Sequence, residues 1–483
     1  LVLPGFQDAH VHPPSSGLER LRCDLNGSLD AAEYVRTVAG YAARHPDEAW
    51  IVGGGWWPGA FPGGLPHRDQ LDEVVRDRPV YLPNRDGHGA WVNTRALELA
   101  GIDARTADPP DGRIERDATT GEPTGVLHEG AMDLVERLLP ETTADEWERA
   151  ILEAQSYLHS LGITAWQDAW VKPEHLGPYL SLLERRKLTA RVVAALWWER
   201  DRGLEQVEDL IEQRDRAAAS GLDARTVKIM LDGVCENFTA RMLEPYLDAS
   251  GRPTDNRGLR FVDPETLRAA VTRLDTEGFQ VHFHAIGDGA VRDALDAVES
   301  ARRVNGPREN RHHIAHIQVI HPDDVPRFGR LGVVANAQTL WACHEPQMDD
   351  LTIPFLGPER ASCQYPFRAL IDAGATLACG SDWSVSSPEP FVQMHTAVTR
   401  VGPEEPGAPS FLPEQRLTPD EALTGFTRGS AYVNRLDDRT GLLRPGALAD
   451  LVVADHDPFE DNQIADTRVL ITMVGGRVVY DAG

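Results

Sequence analysis

Two histidines separated by one residue are the first candidates for a functional site in this chain. His10 and His12 end the apolar segment Leu-Val-Leu-Pro-Gly-Phe-Gln-Asp-Ala-His-Val-His. Alternate side chains of a strand point to the same face, so both imidazoles can be aimed at one point. Because imidazole is a common ligand of zinc and similar divalent ions, the spacing indicates a metal site.

Further candidate ligands lie on or just after later apolar segments. They are Lys228, His282, His284, His312, His313, His316 and Asp382. Barrel enzymes carry their chemistry at the carboxyl ends of strands, so this shared position predicts that several of them meet. Taken singly, each histidine could be structural, Asp382 could cap a turn, and Lys228 could extend its amine to water.

Lys228 is unusual because the chain has 48 basic residues and only three of them are lysines. A buried lysine tends to lose its proton. The neutral amine can then add carbon dioxide and form a carbamate, an anionic ligand with two oxygens that can bridge two metals. We interpret Lys228 in Val-Lys-Ile-Met-Leu as such a residue.

Helix-like and strand-like segments alternate from about residue 143 to residue 380. The pattern predicts strands at 163–168, 190–197, 226–231, 279–284, 312–316, 333–336 and 375–380, with helices between them. Such alternation is typical of a parallel sheet. With the strand that ends at His12 the total is eight, which predicts an α/β fold, a (β/α)8 TIM barrel.

The barrel is predicted to occupy residues 1–430. Residues 48–142 break the repeat, and we expect a long insertion after strand 1 that covers the site. Residues 431–483 predict a small accessory β-domain from the C-terminal tail. Its strands are few, so we expect a preceding N-terminal segment to complete it.

The composition of the chain limits which classes of partner it can have. The net charge of −27 argues against nucleic acid and anionic membranes. The sequence has no apolar stretch of about 18 residues. Five cysteines without CxxC pairs favour a cytoplasmic location. We expect a small-molecule amide as substrate and a homodimer as the assembly.

Several segments resemble the metal-dependent amidohydrolase superfamily. The similarity is carried by the segments around His10 and His12, by Val-Lys-Ile-Met-Leu-Asp-Gly, His-Phe-His-Ala-Ile-Gly-Asp-Gly-Ala, Ile-Ala-His and Gly-Ser-Asp-Trp, and by the tail at 441–453. Asp-Gly-His at 86–88, Val-Asn-Thr-Arg-Ala-Leu at 92–97 and Gly-Val-Leu-His-Glu at 125–129 are similar to amidohydrolase family 3. That branch, of the YtcJ-like type, includes N-substituted formamide deformylase.

The resemblance implies a centre of one or two divalent ions, with Zn²⁺ as the expected metal. Its ligands would be His10, His12 and Asp382 for the first ion, and His284 and His316 for the second, with carboxylated Lys228 bridging. Asp382 would also be the general base. The expected reaction is hydrolysis of a non-peptide carbon–nitrogen amide bond, with N-formyl amides as candidate substrates, by a water whose pKa the metal lowers to about 7.

Substrate contacts are predicted at a second set of residues, namely His88, Trp57, Gln338, Trp341 and Trp383. His88 could equally be a structural loop histidine, and the tryptophans, with Trp56, could belong to a core. Cys235 is an alternative to Lys228 as a ligand, and Lys228 is the better match.

Two other functions stay open at this stage. The first is a mononuclear deaminase or cyclic amidase on the same barrel, which would bind one metal and leave Lys228 unmodified. The second is a barrel that binds a metal or small ligand without catalysis.

Overall fold

The computed structural model describes residues 1–460 and 463–483. It contains two compact units. The barrel unit comprises Leu1–Pro14, Ile151–Trp383 and Ser387–Gly483, and the insertion unit comprises Ser15–Ala150 and Ser384–Ser386. Among the described residues, every helix is too short or too polar to span a bilayer.

An eight-stranded parallel sheet confirms the predicted barrel fold, in the order β15-β14-β13-β12-β11-β10-β9-β2. Strands are numbered in chain order over both units. Those of the barrel are β2 (Phe6–Val11), β9 (Ile163–Val171), β10 (Arg191–Trp197), β11 (Asp223–Met230), β12 (Gln280–Ala285), β13 (His313–His316), β14 (Val334–Ala337) and β15 (Leu377–Cys379). Every residue of β2, β12, β13, β14 and β15 is buried, as expected for a sheet covered on both faces.

The helices of the barrel unit lie between its strands and after the last of them. They are α6 (Ala144–Ser160), α7 (Pro173–Glu184), α8 (Gln206–Ala219), α9 (Pro264–Thr276), α10 (Asp288–Asn305), α11 (Val325–Leu331), α12 (Pro346–Leu351), α13 (Ile353–Leu356), α14 (Pro358–Ala361), α15 (Phe367–Asp372), α16 (Pro390–Thr399), α17 (Pro419–Thr424) and α18 (Ser430–Val433). Their starts carry local signals: the Asp263 side chain accepts from two main-chain N–H groups of α9, and Pro264 takes its first position.

The first and last strands of the sheet come together beside His10. The main-chain N–H of Asp382 donates to the carbonyl of His10 at 2.7 Å. A Cβ on Gly380 would lie 2.6 Å from the Cβ of His10. The close approach therefore requires glycine at 380.

A second sheet of four antiparallel strands lies in the same unit. It contains β1 (Val2–Pro4), β16 (Leu451–Ala454), β17 (Val469–Val474) and β18 (Arg477–Asp481), in the order β1-β16-β17-β18. Buried Leu3, Val452 and Ala454 belong to the same hydrophobic cluster as the barrel. The N-terminal residues thus supply one strand, and the separate domain at 431–483 stays a prediction; residues 461 and 462 lie outside the described part.

The insertion unit has its own six-stranded sheet, in the order β3-β4-β5-β6-β8-β7. Its strands are β3 (Cys23–Asp24), β4 (Ile51–Gly54), β5 (Val80–Pro83), β6 (Gly89–Val92), β7 (Gly112–Arg116) and β8 (Pro123–Glu129), and its helices are α1 (Pro13–Leu21), α2 (Ala31–Arg44), α3 (Arg68–Asp72), α4 (Thr94–Ala100) and α5 (Asp133–Glu136). The unit begins well before residue 48, because β3 pairs with β4. That it covers the site stays a prediction.

Candidate metal centre

The predicted ligands come from both ends of the chain and lie together on the barrel strands. His10 belongs to β2, Lys228 to β11 and His284 to β12, and His316 ends β13. Asp382 follows β15 by three residues. All five are at most 4% exposed. Because the strands are parallel, residues near their carboxyl ends lie at the same end of the barrel.

His10, His12 and Asp382 form the tightest cluster. Their ligand atoms all lie within 4.8 Å of one another. Oδ1 of Asp382 is 3.2 Å from Nε2 of His10 and 2.8 Å from Nε2 of His12. His316 is next to this cluster, with its Nδ1 3.6 Å from Oδ2 of Asp382.

Three polar atoms in or beside this cluster are buried without a well-directed hydrogen bond. Nδ1 of His12, Nδ1 of His316 and Oδ1 of Asp382 have no partner with hydrogen-bond geometry in the described chain. Buried polar atoms in proteins are nearly always hydrogen-bonded, and an unsatisfied set calls for an explanation such as an ion. Two imidazoles and a carboxylate are a donor set that suits Zn²⁺. The residues present therefore fit a divalent metal.

A second group of predicted ligands adjoins the first. The ring centroids of His284 and His316 are 4.5 Å apart, and those of His10 and His316 are 4.7 Å apart. Lys228 pairs with His282 across β11 and β12 and is 2% exposed. His284 and His316 therefore lie close together, and Lys228 lies on the strand next to that of His284; that they hold a second ion stays a prediction.

Asp232 is a residue of this centre that the sequence analysis missed. Its Oδ1 lies 3.2 Å from Nδ1 of His284. Main-chain N–H groups of Arg241, Ile286 and Gly287 donate to the same carboxylate at 2.8, 3.1 and 2.9 Å. A carboxylate held in this way fixes the ring of a ligating histidine and directs its other nitrogen toward the metal. Asp232 could have been found from its position, because it comes just after a barrel strand in the segment Leu-Asp-Gly.

Burial controls the charges at the centre. It lowers the pKa of His10 to about 3, with a further contribution from Lys228, so His10 is neutral at pH 7. Burial likewise lowers the pKa of Lys228 to about 7. Burial raises the pKa of Asp382, but the adjacent His10 and His12 outweigh this and hold it well below its usual range. The site therefore presents a neutral imidazole beside a carboxylate.

Two of the predicted ligands adopt a backbone conformation that is rare for residues with side chains. The φ angle is 75° at His316 and 56° at Asp382. Left-handed φ values outside glycine cost of order 1 kcal/mol or more and concentrate at functional sites. In this protein the two residues with such φ values are predicted metal ligands, at or just after the ends of their strands.

The predicted substrate residues of the barrel unit lie in three different settings. Trp341 stacks on His316, with ring centroids 5.3 Å apart and planes 5° apart. Trp383 is 6% exposed and packs in the core against Tyr157. Gln338 is fully buried, and its amide bonds to other residues of the barrel. Their contact with substrate stays a prediction, for which Trp341 has the most suitable position.

Trp170 is a further aromatic neighbour that the sequence analysis missed. Its ring meets that of His12 edge to face at 6.0 Å, and Trp197 lies 5.5 Å from it. Trp170 and Trp341 therefore place apolar surface beside two different predicted ligands.

The other candidates from sequence, Trp57 and His88, belong to the insertion unit. Nδ1 of His88 lies 3.0 and 3.1 Å from the two carboxylate oxygens of Glu129. Glu129 itself has a φ of 52°. Trp56 is 1% exposed and belongs to the core of the unit. His88 is thus a histidine oriented by a carboxylate, and its substrate role stays a prediction.

The alternative ligands occupy structural positions. His312 contacts the carboxylate of Asp275 at 3.1 Å. Burial raises the pKa of the Cys235 thiol well above its usual value, which disfavours the thiolate that a metal needs. His282 and His313 bond to neighbouring amides inside the barrel.

A parallel eight-stranded barrel with histidine and aspartate at its strand ends is the architecture of a metal-dependent hydrolase. The family model described as "Amidohydrolase family" matches residues 1–480. The chain belongs to this family.

Curated relatives span nearly the whole chain. It is 33% identical to "Protein LONG AFTER FAR-RED 3" of Arabidopsis thaliana, over 99% of this chain and 82% of that one. Identity is 29% to the putative amidohydrolase YtcJ of Bacillus subtilis (100% and 89% covered) and 26% to the N-substituted formamide deformylase of Arthrobacter pascens (99% and 88%).

The fold agrees with a solved structure as well. An uncharacterized metal-dependent hydrolase from Pyrococcus furiosus superposes with a TM-score of 0.69 at 27% identity, covering 95% of this chain and 88% of that one. The chain is therefore a hydrolase whose family depends on metal.

Proposed function

We propose that this protein hydrolyses a carbon–nitrogen amide bond of a small molecule, with N-formyl amines as the leading substrate class. The observation that carries the proposal is the convergence of His10, His12 and Asp382, whose ligand atoms lie within 4.8 Å of one another. The similarity to an N-substituted formamide deformylase over 99% of the chain supports the substrate class.

Zn²⁺ held by His10, His12 and Asp382 would supply an activated water and a positive charge for the carbonyl oxygen. Lys228 as a carbamate, with His284 and His316, would hold a second ion. Lys228 is buried, and burial lowers the pKa of its amine to about 7. A large share of the side chain is therefore the neutral amine that can form a carbamate, which supports this role.

Asp382 is the proposed general base. Its carboxylate is ionised, is 4% exposed and lies against two predicted ligands. It would accept a proton from the attacking water at a carboxylate oxygen, and it would pass this proton to the nitrogen as the carbon–nitrogen bond breaks. Acid–base catalysis of this kind contributes about 10²- to 10⁴-fold in rate.

The aromatic side chains support an apolar substituent on the amide nitrogen. Trp170 lies beside His12 and Trp341 beside His316. Rings of this size offer large apolar contact area. Aryl or alkyl N-formyl amines would fit these surfaces better than charged amides.

The mononuclear enzyme is the second candidate. Within the described chain, the one group of three or more histidine, cysteine or carboxylate ligands able to hold an ion is His10, His12 and Asp382. A single ion there, with Lys228 unmodified, would suit a deaminase or a cyclic amidase. We infer a cytoplasmic setting for either enzyme, supported by the free thiols of all five cysteines.

A substrate panel tests the proposal. Protein stripped with a chelator and protein reloaded with Zn²⁺ are assayed on N-formyl amines, N-acyl amino acids, cyclic amides and aminopurines. We expect zinc-dependent release of formate and amine. Ammonia release from the aminopurines would favour the deaminase, and inactivity of zinc-loaded protein on the whole panel would contradict both enzymes.

A further inference from the structure

Amide and histidine side chains fill the barrel interior beside the predicted ligands. We call this set the amide network; its members are at most 1% exposed, and they are Gln167, Gln280, His282, His313, Asn336 and Gln338. Gln167 on β9 bonds to Gln280 on β12, and these strands are not neighbours in the sheet. The contact therefore crosses the inside of the barrel.

Main-chain carbonyls fix the orientation of the first amide. Nε2 of Gln280 donates to the carbonyls of Arg311 and Val433 at 2.7 and 3.0 Å. A carbonyl can only accept, so the other end of this amide is the oxygen. Oε1 of Gln280 then accepts from Nε2 of Gln167 at 3.2 Å, which sets the orientation of Gln167 in turn.

The oxygen of Gln167 consequently faces two histidines. Oε1 of Gln167 lies 2.8 Å from Nδ1 of His282 and 3.0 Å from Nε2 of His313. An amide oxygen has no proton to give. Both of these ring nitrogens therefore carry protons.

A second anchor confirms the assignment at His313. Nδ2 of Asn336 donates to the carbonyl of Ala9 at 2.9 Å and lies 3.1 Å from Nδ1 of His313. The amide nitrogen is a donor, so Nδ1 of His313 is the acceptor. The proton of His313 is again on Nε2, as the contact with Gln167 requires.

The chain of hydrogen bonds ends at a predicted ligand. Nε2 of His282 is 2.8 Å from Nδ1 of His10. An imidazole with its proton on Nδ1 has its lone pair on Nε2, so Nε2 of His282 is the acceptor in this contact. His10 then carries its proton on Nδ1 and its lone pair on Nε2, the atom 3.2 Å from Oδ1 of Asp382.

We propose that Gln167 is a positioning residue, which acts through His282 to hold His10 in the tautomer whose Nε2 can bind a metal. The inference rests on the metal site of the proposed function and adds the device that prepares it. Outer groups that orient a ligating histidine typically affect metal affinity by about 10- to 100-fold. Gln167 would do so without contacting a predicted ligand itself.

Zinc affinity, measured by competition with a chelator, tests the proposal in three variants. Gln167→Met keeps the length of the side chain and removes the acceptor. His282→Phe removes the ring nitrogens, whereas His282→Gln keeps an amide oxygen that can accept from Nδ1 of His10. We expect the first two to weaken Zn²⁺ binding by about 10- to 100-fold and His282→Gln to recover most of the loss.

His159 offers a matched control. It is a buried histidine with both nitrogens bonded, to the carbonyl of Ile163 and to Thr189, each at 2.9 Å. His159→Phe should bind Zn²⁺ as tightly as the unaltered protein. Folded Gln167→Met that also keeps the original affinity would overturn the proposal.

Neutron diffraction of the unaltered, metal-free protein gives an answer that needs no variant. We expect deuterium on Nδ1 of His10 and on Nδ1 of His282. Deuterium on Nε2 of His10 would overturn the inference. Inactivity on every amide, with this deuterium pattern and tight zinc binding intact, would contradict the proposed function and leave the positioning role standing.

Discussion

Two adjacent groups of buried polar side chains differ in how their atoms are paired. In the predicted ligand group, Nδ1 of His12, Nδ1 of His316 and Oδ1 of Asp382 lack hydrogen-bond partners in the described chain. In the amide network, donors face acceptors throughout, from Gln280 to Asn336. Both groups contain buried histidines, so burial alone does not mark function. The predicted ligand group differs because its metal-binding atoms also converge, those of His10, His12 and Asp382 lying within 4.8 Å of one another.

The largest expected effect comes from changing the base. Asp382→Asn should lower kcat by about 10²- to 10⁴-fold, because the amide cannot accept the proton. Metal content should fall far less, since the amide oxygen can still act as a ligand. Parallel measurement of turnover and zinc per chain checks this. Near-normal turnover with metal bound would remove Asp382 from the role of base.

The second-largest effect should be a loss of metal affinity when Asp232, the carboxylate that orients His284, is changed. Asp232→Asn should weaken binding of Zn²⁺ by about 10- to 100-fold, because an NH2 group must replace one of two oxygens that both accept hydrogen bonds, which disturbs the acceptor of His284. Asp288 is the matched control, since its carboxylate also accepts a main-chain N–H, from Leu243 at 2.8 Å. Equal zinc affinity in the two Asp→Asn variants would assign Asp232 to structure alone.

Stability separates the two groups most directly. Gln280→Met should lower the free energy of unfolding by about 2 kcal/mol, because two buried carbonyls lose their donor. In metal-free protein, Asp382→Asn should cost less stability than Gln280→Met, since the amide has nearly the same shape and no buried main-chain carbonyl loses its donor. Urea unfolding of both variants measures the difference, with Gln213→Met on α8 as the control. A larger loss in Asp382→Asn would reverse the comparison.

The smallest expected change concerns metal count. Lys228→Gln cannot form a carbamate, so bound zinc should fall from two ions per chain to one. Elemental analysis checks this, with the exposed Lys187→Gln as control. One ion per chain in both the unaltered protein and the variant would favour the mononuclear enzyme.

The barrel was largely predictable because its signals are local. The helix over Pro264–Thr276 begins at an aspartate cap followed by proline, and the strand over Gln280–Ala285 alternates polar and apolar residues, so each element could be placed within a few residues. The insertion unit was placed too late. Its first strand has only two residues, Cys23 and Asp24, and becomes a strand by pairing with Gly53 and Gly54.

Residues of the site could be predicted only where their position at the end of a strand pointed to a role in it. Strand ends identified His284, His316 and Asp382, which the structure brings together. Gln167 could not be found in this way, because its role depends on a contact across the barrel with β12. An amide inside an apolar strand, as in Ile-Thr-Ala-Trp-Gln, is the available signal, and it indicates burial without naming a partner.

The junction of the first and last barrel strands has a consequence for synthesis. Ser381 donates its main-chain N–H to Asp8, a residue 373 positions earlier, at 3.0 Å. His10 is synthesised early, whereas Asp382 is synthesised only after all eight barrel strands. The predicted ligands therefore cannot all come together until the last barrel strand has been synthesised. Contacts of such long range also form slowly, so acquisition of zinc would report the last step of folding.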